Sequence, residues 1–264
     1  MNSETAKTLC QINNDFYRNH YLSFSETRKS AWHGWRRCLE VVRETLLAEQ
    51  SDDAGEQKGL TIFDLACGNL RFERFMASGL PEASLSFYAV DNCDGLVPQM
   101  SNVTYQSLDI LAELMEGQRI NDRLEAPICD LSVSFGFMHH IPLQEQRAEI
   151  VSTLIRQTRP GGLVILSFWQ FLNDEGLSSK AKLAHECGLS ELRARGTALD
   201  DLGEGDFLLG WENKPGAYRY CHSFSEAEVD ELVESAADKA TAVSRFMADG
   251  RTGNLNTYLM LRVL

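Results

Sequence analysis

A chain of 264 residues, 44% of them hydrophobic, is long enough to bury a sizeable core, which excludes disorder as its main state. Twenty-five lysines and arginines against 38 aspartates and glutamates give a formal charge of −13, which opposes non-specific binding to polyanions. The longest mostly apolar run, residues 163–169, is far short of the roughly twenty needed to cross a bilayer, and seven cysteines without a C-x-x-C pair read as buried thiols of a reducing compartment.

The first twenty residues offer no apolar segment with a small-residue cleavage site, so a cytoplasmic protein is expected. Residues 1–50 read as helix, with Trp32, Trp35, Leu39, Val42 and Leu46 spaced as one apolar stripe that is more core than ligand platform. A polar linker is expected at 51–59. Five short apolar runs then follow, at 60–65, 85–90, 103–106, 128–135 and 163–169, separated by helix-length segments. This alternation predicts an α/β fold with a doubly wound, mostly parallel sheet. One helix is expected to start near Arg71 and another to run over 144–158, where Pro160, Gly161 and Gly162 make a turn into the fifth strand. Residues 171–215 read as irregular, with a helical piece at 178–185 and an acidic loop at 200–206. Ser225 and Glu228 form a capping box that starts a helix at Glu226. Runs 242–246 and 257–263 read as a closing antiparallel hairpin on the sheet edge.

The most informative segment is 61–72, TIFDLACGNLRF. A buried strand ends in Asp64 and passes through a small-residue turn into a helix, the arrangement that binds ligands at the crevice of α/β sheets. Twenty-seven residues on, the next strand ends in Asp91, an acid placed to accept hydrogen bonds from ribose hydroxyls. These features resemble the class I S-adenosylmethionine-dependent methyltransferases, whose first motif runs D-x-G-x-G-x-G. The resemblance implies a seven-stranded Rossmann-like fold under a helical N-terminal cap, with S-adenosylmethionine as cofactor. It implies Asp64, Ala66 and Gly68 at the methionine end, Asp91 and Asn92 at the ribose, Asp109 and Ile110 at the adenine, and Phe135 in the same pocket. Arg28, from the cap, would hold the cofactor's carboxylate. Two positions depart from the motif. Ala66 stands at the first glycine, where an allowed backbone region is expected, and Leu70 at the third, where it either packs under the helix or narrows the methionine pocket. A nicotinamide dehydrogenase uses a similar turn, but Asp64 and Asp109 fit it poorly. The division expected is one domain: cap and linker at 1–59, cofactor core at 60–170, cap insertion at 171–215, last helix and edge hairpin at 216–264.

Further segments narrow the resemblance: Asn14 to Tyr17, the F-S-x-T-R-x-x-x-W pattern from Phe24 to Trp32, Phe137 to Ile141, Trp169-Gln170, Asp206 to Trp211, and the Y-R-Y-x-H-x-F pattern from Tyr218 to Phe224. They are similar to the tRNA wobble-uridine carboxymethyl methyltransferases, which esterify a carboxylate in the anticodon. A carboxylate is already ionised and needs placement and a cation rather than a base. Arg219 is the expected cation, with His139 and His222 as hydrogen-bond donors or, for a hydroxyl acceptor, bases. His140 and Trp169 are expected to contact the substrate; no metal is expected. Against a tRNA partner stands the net acidity, since the only basic stretch is Arg28, Lys29, Arg36, Arg37 and Arg43. A small activator subunit is implied by analogy with the eukaryotic members. The alternatives are a small-molecule O-methyltransferase and, motivated by Leu70, a non-catalytic S-adenosylmethionine-binding regulatory partner.

Overall fold

The computed structural model describes residues 1–48 and 59–264, so the linker expected at 51–59 lies outside the described residues except for Gly59. The chain opens with α1 (Ser3–Glu26), capped by Asn2, whose side chain accepts from the amides of Glu4 and Thr5. It continues through α2 (Gly34–Val42) into a π-turn over Arg43–Leu47. Then follow β1 (Gly59–Leu65), α3 (Arg71–Gly79), β2 (Ser84–Asp91), β3 (Val103–Ser107), α4 (Ile110–Met115), β4 (Cys129–Ser134), α5 (Gln144–Arg156) and β5 (Thr158–Trp169). The remainder is α6 (Glu175–Ala194), β6 (Asp206–Gly210), β7 (Tyr218–His222), α7 (Glu226–Ala236), β8 (Ala240–Ala248) and β9 (Asn256–Val263).

Seven strands form one sheet in the order β3-β2-β1-β4-β5-β9-β8. The first five are parallel, and β9 runs antiparallel between β5 and β8. Side chains of β1 alternate between two cores because a strand's period is two. Leu60 and Ile62 pack with Trp35, Val42, Phe72 and Met76 of α2 and α3, while Phe63 and Leu65 pack with Leu111, Ile150, Leu154 and Val229 of α4, α5 and α7. Strand order reverses at β1, so the crevice at its carboxyl end is the open one.

Three expectations change. Residues 159–162 belong to β5 as a bulge: Cys129 pairs with Thr158 but Leu131 with Leu163. A Cβ on Gly162 would lie 2.6 Å from the Asp130 carbonyl oxygen, so no side chain fits there. The stretch 171–215 is more regular than expected, because the 20-residue α6 occupies much of it. Finally, 206–210 and 218–222 pair as a separate antiparallel sheet, which packs against α1 and α6. No helix among the described residues is long and apolar enough to cross a membrane.

Candidate active site

The turn that follows β1 is held by its neighbour strand. Ala66 and Cys67 donate to the Val90 carbonyl at 2.8 and 3.1 Å. Asp91 accepts from the amide of Gly68 at 2.9 Å on one oxygen and from Cys93 at 3.0 Å on the other. The turn puts three residues at positive φ: Ala66 at 67°, Gly68 at 56° and Leu70 at 55°. The expectation for Ala66 is therefore corrected: it sits in the left-handed region, at a cost on the order of 1 kcal/mol that glycine would avoid. Leu70 resolves the other way. It is wholly buried against Cys67, Ala89 and Met100, so it packs beneath the turn and does not line the pocket.

A cavity of about 680 Å³ opens above this turn. Of the fourteen residues selected from the sequence, only His222 is absent from its lining. One end is acidic, with Asp64, Asp91 and Asp109. Burial raises Asp91 above the usual carboxylate range, against the pull of its three amide donors. Helix α1 lies across this end: Asn14 donates to Asp109 at 2.7 Å and accepts from Asn92 at 3.0 Å. Asp109 also caps α4 by accepting from the Ala112 amide, so both its oxygens are engaged. Asn69 ties the turn to the cap through Ser25 at 2.9 Å and the Arg28 carbonyl at 3.3 Å.

The lining is also cationic and aromatic. Arg219 is 7% exposed and has no ion pair among the described residues, and its Nε has no hydrogen-bond partner. Its guanidinium lies 5.0–5.8 Å from the rings of Phe16, Phe24, Trp169 and Trp211. Arg28 lies 3.5 Å over the Phe24 ring, bonded to Thr27, again with no carboxylate partner. Burial, and then the charge of Arg219, lower Arg28 to about 10. The nearby acid Asp206, on the strand paired with that of Arg219, is taken by His222.

The histidines divide. His140 is committed: Nδ1 lies 3.0 Å from the Tyr220 carbonyl, so it carries the proton, and Nε2 accepts from the Tyr17 hydroxyl at 2.8 Å. Burial lowers its pKa to about 3. His139 packs 5.0 Å from Trp169, its Nδ1 has no partner, and burial keeps it neutral. His222, expected as a catalytic hydrogen-bond donor or, for a hydroxyl acceptor, a base, is corrected. Its Nδ1 is 2.8 Å from Asp206 and its Nε2 2.7 Å from Glu228, so neither nitrogen is free, and the side chain faces away from the cavity lining. Tyr220 and Arg147 complete this clamp, at 2.7 Å from Asp206 and 3.3 Å from Glu228.

His139, His140 and Cys221 bring ligating atoms within 4.8 Å of one another. The lone pair a metal would need on His140 Nδ1 is used up by its proton, and the Arg219 guanidinium stands beside the group. Sequence reasoning missed Asn13 and gave Asn14 and Tyr17, though part of a quoted segment, no role, because helical spacing says nothing about what a helix covers. It also missed Glu73, though an acid beside Phe72 on the buried face of α3 is a visible irregularity.

No family model matches the sequence. Over 163 residues the chain is 25% identical to the mouse protein named tRNA (carboxymethyluridine(34)-5-O)-methyltransferase ALKBH8, a match covering 60% of this chain and 20% of that one. The chain thus spans about a fifth of that relative's length. A protein of Encephalitozoon cuniculi provisionally named a methyltransferase is 24% identical over 230 residues, 85% of each chain. Among solved structures, the 1,6-didemethyltoxoflavin-N1-methyltransferase of Burkholderia thailandensis, bound to S-adenosylhomocysteine, superposes with a TM-score of 0.59 at 12% identity, covering 98% of this chain and 89% of the other. A methyltransferase of Methanosarcina mazei does so at 0.52 and 17%, covering 79% and 94%. The fold, with its acid-terminated first two strands, is that of the class I methyltransferases, and both sequence relatives carry methyltransferase names.

Proposed function

We propose that the protein methylates a carboxylate-bearing acceptor with S-adenosylmethionine, the acceptor being a carboxymethyluridine of tRNA. One observation carries this reading: two guanidinium groups, the buried Arg219 and the half-buried Arg28, line the cavity with no acidic partner among the described residues. An unpaired cation withdrawn from water is costly, most of all the buried Arg219, and two such groups call for two anions. The cofactor carboxylate against Arg28 is one, and the acceptor carboxylate against Arg219 is the other.

The cavity also fits the cofactor. Gly68 presents open space where a Cβ would stand, and the lining holds both the acids and the two guanidinium groups. S-adenosylmethionine supplies an activated methyl group on sulfur. The chain's part is to orient the acceptor carboxylate with Arg219, to wall the site with Trp169 and His139, and to exclude water under α1. A carboxylate oxygen forms the bond to the methyl carbon as the carbon–sulfur bond breaks, and no proton moves. This suits a site whose histidines are neutral or engaged, whereas a hydroxyl acceptor needs a base.

The net charge of −13 favours a second reading, a small-molecule carboxylate instead of tRNA. The test is incubation of the protein and labelled S-adenosylmethionine with tRNA carrying carboxymethyluridine, followed by nucleoside mass spectrometry. The methyl ester should form. Label transfer to small carboxylic acids and not to tRNA would select the second reading, and transfer only to hydroxyl or amine acceptors would refute the carboxylate.

A further inference from the structure

Beneath the 66–70 turn lie two buried carboxyl groups with unpartnered oxygens. Glu73, in the first turn of α3, is wholly buried, and neither of its oxygens has a partner. Asp64, at the end of β1 and 3% exposed, has its Oδ1 in the same condition. The two side chains are within hydrogen-bonding reach of each other. Two carboxylates in contact in a low-dielectric site cannot both stay charged, and with no cation paired to either among the described residues burial favours the protonated form of each.

The surroundings reinforce this. Asp91 on β2 adds a third negative group, the Cys67 thiol is held well up by burial and by these acids, and Arg74, exposed on α3, is the cation that bears on Glu73. Burial, and next the neighbouring carboxyl, raise Asp64 well above the usual range, and burial raises Glu73.

We propose that Glu73 is a positioning residue that shares protons with Asp64, so that seating the cofactor's α-ammonium against Asp64 expels one proton from the pair to solvent. The inference rests on the cofactor reading above. In mildly acidic solution both carboxyls of the free protein are protonated. With the ammonium in place Asp64 is ionised, while Glu73 keeps its proton and donates it to Asp64 Oδ1. One proton leaves for each cofactor bound. Glu73 thus prevents a second negative charge under the turn and fixes the direction in which Asp64 presents its own.

Calorimetric titration with S-adenosylhomocysteine, which carries the same ammonium, tests this between about pH 5.5 and 7, in buffers of different ionisation enthalpy. In this range the ligand's amine stays mostly protonated. The binding constant of the wild type should rise close to tenfold per pH unit, the slope of one released proton. Glu73→Gln cannot ionise and always offers an amide donor to Asp64, so its slope should fall below about twofold per unit. A contribution from Asp91 would be the same in both proteins. An unchanged slope in Glu73→Gln, or none in the wild type, overturns the role of Glu73. Absence of binding at every pH would instead refute the cofactor reading, and this inference with it. If the variant does not fold, infrared difference spectra of the wild type decide: ligand should remove a protonated-carboxyl stretch, and an unchanged carboxyl region overturns the proposal.

Discussion

Replacing Arg219 by methionine separates what this residue does for the fold from what it does for the acceptor. The side chain is 7% exposed, has no acidic partner among the described residues, and is surrounded by Phe16, Phe24, Trp169 and Trp211. Methionine keeps the apolar length among those rings and removes a buried cation that also opposes Arg28. The cation–π attraction to the rings is worth about 0.5–2 kcal/mol, and the desolvation relieved by removing an uncompensated buried charge exceeds that. The variant should therefore be more stable, by about 1 kcal/mol, which in a chain of this size raises the melting temperature by about 2–4 °C. Turnover should move the opposite way. Truncating one member of a buried charge pair costs about 2–5 kcal/mol, so single-turnover esterification should slow by about 30- to 5,000-fold. Calorimetric affinity for S-adenosylmethionine should stay within a few-fold, because Arg28 and the acids are untouched. Scanning calorimetry, rapid-quench methyl transfer and titration supply the three readouts. A variant that melts lower and loses cofactor affinity in step with activity would show that Arg219 is structural, and the carboxylate reading would lose its main support.

Asp91→Ala should weaken S-adenosylmethionine by about 1.5–3 kcal/mol, since it removes a charged acceptor from ribose hydroxyls and from the Gly68 and Cys93 amides; unchanged affinity by titration would reject that role. Ala66→Gly should raise urea-unfolding stability by up to about 1 kcal/mol, because its φ of 67° is costly for alanine, whereas Leu70→Gly, at a similar φ, should lower it by about 2–4 kcal/mol by emptying a fully buried site. Were both to stabilise, the packing assigned to Leu70 would be wrong. His222→Ala should destabilise by about 3–5 kcal/mol by stranding Asp206, while cofactor affinity of the folded fraction is unchanged. Against a cost of burial, hydrogen bonds from His222 and the Ser225 amide hold Glu228 at about 2, below its unfolded value, so its stabilisation is present at neutral pH and is lost as pH falls from about 4 to 2. Acid-unfolding curves of the variant should lack this component, and coincident curves would refute the clamp.

The sequence by itself determined the elements and their order, because these depend on neighbours in the chain. Apolar runs of strand length separated by helix-length segments commit the chain to a parallel sheet wound on both faces, and acids at the ends of β1 and β2 follow from strand direction alone. That is why Asp64, Gly68 and Asp91 were legible as one site. The capping box at Ser225 was legible for the same local reason. What only the tertiary structure decided are the roles that require residues distant in the chain to meet. His139, His140 and His222 look alike in sequence; burial beside Trp169, a bond to Tyr17 on α1 and a clamp between Asp206 and Glu228 make them three different groups. Arg219 has no acidic partner among the described residues, while Asp206, on the paired strand, turns to His222. Glu73 meets Asp64 because the turn reverses the chain through left-handed residues that the sequence fills with alanine and leucine in place of glycine. Charge pairing and desolvation act through space, and one-dimensional spacing constrains them only where the backbone between is regular.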